Sequence, residues 1–215
     1  MRYDANLRSP STQIMSLPSI LDAHLDTAAI AAVQANPDAG YLIDAPYSEA
    51  PLVISFGFVS WNELPAFDFV GRTRKFEKAM GRPINRILVR DPANFWYLYG
   101  VPGLGHDVDA VTSALRGMIA RLRPTSVSTV GQSMGGYAAL MFGALLEVEQ
   151  ILSFGPLSYF RSDRARRDGD TRWLATMEKL DRLPPVGPRY DDLPALLASV
   201  ARRLRSPVGV NFDGR

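Results

Sequence analysis

The spacing of apolar residues changes along this chain, and each change marks an element. Ile20, Leu21, Leu25, Ala28, Ala29, Ala32 and Val33 recur at three- and four-residue steps, which predicts a helix from Ser19 to Val33. Asn36-Pro37-Asp38-Ala39-Gly40 stops it, because Pro and Gly break helices and Asn favours turns. Short apolar runs at 41–45, 52–57 and 84–91 read as strands, the second rich enough in β-branched residues to be buried on both faces. An irregular aromatic loop at 58–71 and a short helix at 74–80 separate the last two. After a second aromatic loop at 92–106, Val108, Val111, Leu115, Met118, Ile119 and Leu122 fall on one helical stripe that Pro124 ends. A strand is predicted at 126–130, a helix apolar on most sides at 134–147, and a strand at 150–154. The Arg-rich stretch 157–190 reads as a peripheral helical insertion, followed by a helix at 193–205 and a final strand at 207–213.

Strand and helix alternate through the second half. That order calls for an α/β fold: a mostly parallel, doubly wound sheet with helices on both faces. Residues 1–40 are expected to form a tail and helix, and 41–215 a single domain. With 215 residues, 47% of them hydrophobic, the chain is long enough for one sizeable core.

Composition removes several chemistries. The chain has no Cys, so disulfides, Cys-based zinc sites, iron–sulfur clusters and a cysteine nucleophile are excluded. Its two histidines, His24 and His106, argue against a histidine metal site, and neither a metal nor an organic cofactor is expected. The charges balance, 24 Lys+Arg against 22 Asp+Glu. Arg161, Arg164, Arg166 and Arg167 are interrupted by Asp163 and Asp168 and read as a solvated face, so no nucleic-acid partner is expected. No uncharged apolar run of about 20 residues occurs and Met1-Arg2-Tyr3-Asp4 leads into no signal-peptide core, so the expectation is a cytoplasmic protein without a membrane span.

The informative segment is Val130-Gly131-Gln132-Ser133-Met134-Gly135-Gly136, a Gly-x-Ser-x-Gly between a predicted strand and a predicted helix. A serine on a very sharp strand-to-helix turn sits in a strained backbone conformation. Side chains two residues to either side would collide with the neighbouring chain, and glycines at 131 and 135 remove those collisions. Such a turn lifts the Ser133 hydroxyl above the sheet edge and aims the Met134 N–H at a developing oxyanion. The plain alternative is a glycine-rich turn whose serine caps the helix.

With that motif, the sequence from about Leu52 onward resembles the α/β-hydrolase family. Gly131-Gln132-Ser133-Met134-Gly135-Gly136-Tyr137-Ala138-Ala139 is similar to its nucleophile elbow, and Trp96-Tyr97 with Gly100-Val101-Pro102-Gly103 resembles a bacterial branch of it. The resemblance implies serine-dependent hydrolysis of a small ester or acyl substrate, with Ser133 as nucleophile. It also implies a second oxyanion donor just after the 52–56 strand, the Phe58 N–H, although Phe56-Gly57 stands where the family often has His-Gly. It places the triad acid at Asp213, directly after the 208–212 strand.

The family order is Ser, acid, His, and no histidine follows Ser133. One expectation is that the natural protein continues past Arg215 and supplies its base there. The other is a complete chain that uses another base or does not hydrolyse, which leaves a non-catalytic binding or assembly protein, or an acyltransferase, as alternatives. His106, on a loop at the reactive edge of the sheet, is the candidate substitute base, with His24 a weaker one. A helix N-terminus disfavours the imidazolium that a base at His106 would have to become. Trp61, Trp96, Phe58, Phe95, Tyr97 and Tyr99 would either line an apolar pocket near Ser133 or pack the core. If 207–213 is the last strand its edge is unpaired, and a homodimer or the N-terminal helix would cover it.

Overall fold

Five strands form one sheet in a computed structural model that describes residues 25–185 and 190–201. The strands are β1 (Tyr41–Asp44), β2 (Leu52–Phe56), β3 (Asn85–Val89), β4 (Val127–Gln132) and β5 (Gln150–Phe154). Their order is β1-β3-β2-β4-β5, with β1 antiparallel to β3 and all other pairs parallel. The predicted strand at 207–213, with Asp213, and His24 lie outside the described residues.

Helices cover both faces, as parallel crossovers require. α1 (Thr27–Gln34) precedes β1, and α2 (Val70–Met80) joins β2 to β3. α3 (Val108–Leu122) joins β3 to β4, and α4 (Met134–Leu146) joins β4 to β5. α5 (Ser162–Asp168), α6 (Leu174–Leu180) and α7 (Leu193–Ala201) follow. Two boundaries differ from the sequence reading. Asp26, expected inside the first helix, is its N-cap, accepting the Ala29 N–H at 2.7 Å. α2 begins at Val70, inside the predicted loop, because Phe69 in the left-handed region (φ 65°) starts it without any side-chain cap to announce it.

The two faces are held in different ways. On one, Ile54, Phe56, Ile87 and Val89 pack against α3, α4 and α7 in a large apolar core. The Phe56 and Phe142 rings stack there at 5.3 Å. α4 is the centre of this layer: 11 of its 13 residues are buried, so it is apolar on nearly every side. Phe160, Ala165, Met177 and Leu180 of the 157–190 segment also enter this core.

The other face is thin. Its buried apolar cluster is Leu42, Phe67 and Leu88, with Leu25, Ile30, Val33 and Val70 against it. Two fully buried arginines on the same face of β3 and its extension stitch α2 and α1 down instead. Arg86 donates to Thr73 Oγ1 at 2.8 Å, to Asp44 Oδ2 at 3.4 Å and to Glu77. That contact with Arg86 holds the Glu77 carboxyl below its usual range, against the opposing effect of burial. Arg90 donates to the carbonyls of Val33, Gln34, Asn36, Ala39 and Pro65, and lies 4.6 Å over the Phe67 ring. The end of a helix leaves carbonyls unsatisfied and carries partial negative charge, so a buried guanidinium there satisfies both.

Arg90→Leu is therefore expected to cost about 3 kcal/mol, since it strips charged donors from several buried carbonyls at once. Urea unfolding measures the loss. Hydrogen exchange should show α1 opening while β2 and β4 keep their protection, and a loss below about 1 kcal/mol would contradict this role for Arg90.

Candidate active site

The sheet changes winding direction between β2 and β4. The chain leaves β2 for α2 on the thin face and leaves β4 for α4 on the thick face. Loops that diverge to opposite faces open a crevice at the carboxyl ends of the two strands, where α/β sheets bind ligands. The loop after β4 carries Ser133 and the loop after β2 carries Phe58.

Ser133 has φ 53° and ψ −118°, a conformation that costs a non-glycine residue of the order of 1–3 kcal/mol. Its neighbours enforce it. The Ser133 N–H donates to Phe154 O at 2.8 Å, and Ser133 O accepts the Tyr137 N–H at 3.0 Å, the first hydrogen bond of α4. A Cβ on Gly131 would lie 2.0 Å from Gly135 O, and one on Gly135 would lie 2.1 Å from Phe56 O. The half-buried serine makes no side-chain capping bond to α4. A capping serine, the plain alternative, does not fit this geometry. Met134 opens α4, so its N–H has no acceptor within the helix.

Gly57 extends the β2 ladder, its N–H donating to Val89 O at 2.9 Å. Its carbonyl accepts the Tyr97 hydroxyl at 2.8 Å and lies 2.9 Å from where a Gly135 Cβ would be, so the Gly57–Phe58 peptide adjoins the serine turn. The Phe58 side chain is 43% exposed. Ser133, Met134 and Phe58 are thus brought to one edge of the sheet. The His106 side chain is 91% exposed and its Nε2 lies 3.2 Å from Asp107 Oδ2.

The sequence reading did not single out the residue that organises the loop after β3. Asp91 is buried, and its carboxylate accepts the N–H groups of Ala93 at 3.0 Å, Phe95 at 2.6 Å and Tyr97 at 2.9 Å. These bonds hold a backbone in which Asn94, Trp96 and Tyr97 all have positive φ. Asn94 is tied in turn to the loop after β2, donating to Ser60 O at 2.8 Å and accepting the Ser60 N–H at 3.1 Å. The only signal in the sequence is an Asp at a strand end followed by Pro92 and Asn94, a turn-forming composition. Burial drives the Asp91 carboxyl up to about 6, against its amide donors.

The aromatic residues divide. Trp96 and Tyr97 are fully buried, whereas Phe58 and Trp61 are exposed. Trp96 packs on Phe160 at 4.1 Å and on Trp173 at 5.2 Å, and its Nε1–H has no acceptor among the described residues. Arg161 and Arg167 pair with Asp163, Arg164 with Asp168 and Asp192, and Arg166 with Glu178, so each member of the basic cluster has an acidic partner. Among the described residues there is no group of three or more side chains suited to a metal ion, and no helix long and apolar enough to cross a membrane.

No family model and no curated protein sequence matches the chain. Solved structures do. The capsule O-acetyltransferase of Neisseria meningitidis serogroup A is similar at 15% identity and a TM-score of 0.48, over 75% of this chain and 64% of that one. Acetyl xylan esterase 1 from Thermoanaerobacterium sp. is similar at 17% identity and a TM-score of 0.44, over 76% and 59%. The fluorophosphonate-binding serine hydrolase FphF of Staphylococcus aureus is similar at 16% identity and a TM-score of 0.42, over 73% and 60%. The chain thus spans less than two thirds of the length of these proteins. Its own strand order, antiparallel edge strand and strand–Ser133–helix turn make the fold α/β-hydrolase-like.

Two measurements probe this architecture. Gly135→Ala is expected to cost about 3 kcal/mol or more, because both groups it would strike are backbone. Gly71→Ala, in open space on α2, should instead gain about 0.5 kcal/mol. Equal effects at the two sites would contradict the close approach.

The second concerns pH. The folded state binds the Asp91 proton more tightly than an unfolded carboxyl of ordinary value 3.8 does. Asp91 therefore adds stability as pH falls from about 6 towards 4, by about 2 kcal/mol, and that contribution is absent at neutral pH. The unfolding free-energy difference between wild type and Asp91→Asn should change by this amount between pH 7 and pH 4. A pH-independent difference would contradict it.

Proposed function

We propose that the chain is a serine-dependent hydrolase of small ester or acyl bonds. The observation that carries this reading is the Ser133 backbone, held at φ 53° and ψ −118° at the start of α4 with its hydroxyl unused as a cap. Strain of this kind persists where surrounding contacts over-determine it, and it clusters at functional sites.

In this reading the Ser133 hydroxyl oxygen attacks the acyl carbon while a base takes its proton. The bond to the leaving alcohol then breaks, and water later hydrolyses the acyl-serine. The oxyanion formed on attack accepts from the Met134 and Phe58 N–H groups, aided by the positive end of α4. Asp213 orients the imidazole of the base and stabilises its protonated form. His106 is assigned no part, because its imidazole faces solvent beside Asp107.

A fluorophosphonate probe applied to the longest natural form of the protein should label Ser133, and Ser133→Ala should abolish both labelling and p-nitrophenyl acetate turnover. If labelling is absent and Ser133→Ala is indistinguishable from wild type, the protein is a non-catalytic binding scaffold. Product analysis with an alcohol acceptor present separates hydrolysis from acyl transfer.

A further inference from the structure

We infer that Tyr97 is a positioning residue: its buried hydroxyl sets the direction of the Phe58 N–H, and Asp91 holds Tyr97 in place to do so. The inference rests on reading Ser133 as the nucleophile.

The geometry starts at one peptide. The Tyr97 hydroxyl donates to Gly57 O at 2.8 Å. No peptide bond here is cis, so the Gly57 carbonyl and the Phe58 N–H point in opposite directions. Tyr97 is fully buried, with its ring edge-on to Phe56 at 5.5 Å and to Phe142 at 6.4 Å. A carbonyl held by that hydroxyl fixes the whole planar peptide, and with it the direction of the Phe58 N–H. The Phe58 N–H donates to no group among the described residues. Without the hydroxyl, a buried carbonyl would lose its donor, and rotating the peptide would be its route to a new one.

Tyr97 needs support to make this contact, because its backbone is strained at φ 63° and follows Trp96 at φ 55°. Asp91 supplies it by accepting the Tyr97 and Phe95 N–H groups. Burial also keeps the Tyr97 phenol far above its ordinary value, so it remains a donor at any working pH. Tyr97→Phe preserves the ring and its packing while removing only the hydroxyl.

The test reads the oxyanion donors directly. In 15N-labelled protein, attaching a phosphonyl group to Ser133 with a fluorophosphonate should move the amide protons of both Met134 and Phe58 downfield. In Tyr97→Phe the Met134 shift should persist and the Phe58 shift should be lost. The kcat for p-nitrophenyl acetate should fall about tenfold or more with KM nearly unchanged, less than the loss of a whole donor. A Phe58 shift and kcat that are the same in both proteins would overturn the inference and leave the Ser133 reading intact. A wild type that forms no adduct overturns the Ser133 reading, and this inference with it. If Tyr97→Phe does not fold, Asp91→Asn is read the same way: a diminished Phe58 shift supports the inference and an unchanged one overturns it.

Discussion

The first turn of α4 runs backbone against backbone over the end of β2, with no room for a side chain at Gly135 beside Phe56 O. Most of the molecule follows from that approach. It brings a nearly all-apolar helix down onto β2, β4 and β5, so the thick layer is built around α4. It forces the chain from β4 into α4 through a single residue, and Ser133 absorbs the turn at positive φ. It also sets the Gly57–Phe58 peptide beside that serine. The core and the candidate site therefore share one constraint.

The thin face solves a different problem. Three buried apolar residues cannot hold two helices, so buried guanidinium groups do the joining. Arg86 works through carboxylates, a hydroxyl and the Ile84 carbonyl, and Arg90 through backbone carbonyls and the Phe67 ring. Such contacts are directional, so they fix where α1 and α2 sit. They also need every partner in place, since a buried charge without its partners is costly.

The loop after β3 is where the structure adds most to the chemistry. Asp91 gathers three amides and stabilises a run with three positive-φ residues, and that run delivers Tyr97 to the Gly57 carbonyl. Burial raises that carboxyl to about 6 even though its amide donors pull it down. The loops after β2 and β3 are further tied to each other by the Ser60–Asn94 pair of hydrogen bonds.

By itself the sequence determined the alternation of strands and helices, the single core and the Ser133 turn. These are written in local patterns: short apolar runs, apolar residues at helical spacing, and glycines two residues either side of a serine. Only the tertiary structure decided that Asp26 caps a helix, that α2 starts at Val70, that Arg86 and Arg90 are core residues, and that Asp91 and Tyr97 support the Phe58 peptide. The buried arginines and Tyr97 depend on partners far along the chain, as with Arg90 and residue 34 or Tyr97 and residue 57. A charged or hydroxyl side chain looks the same in sequence whether it meets water or a buried carbonyl, and only the folded chain supplies the carbonyl.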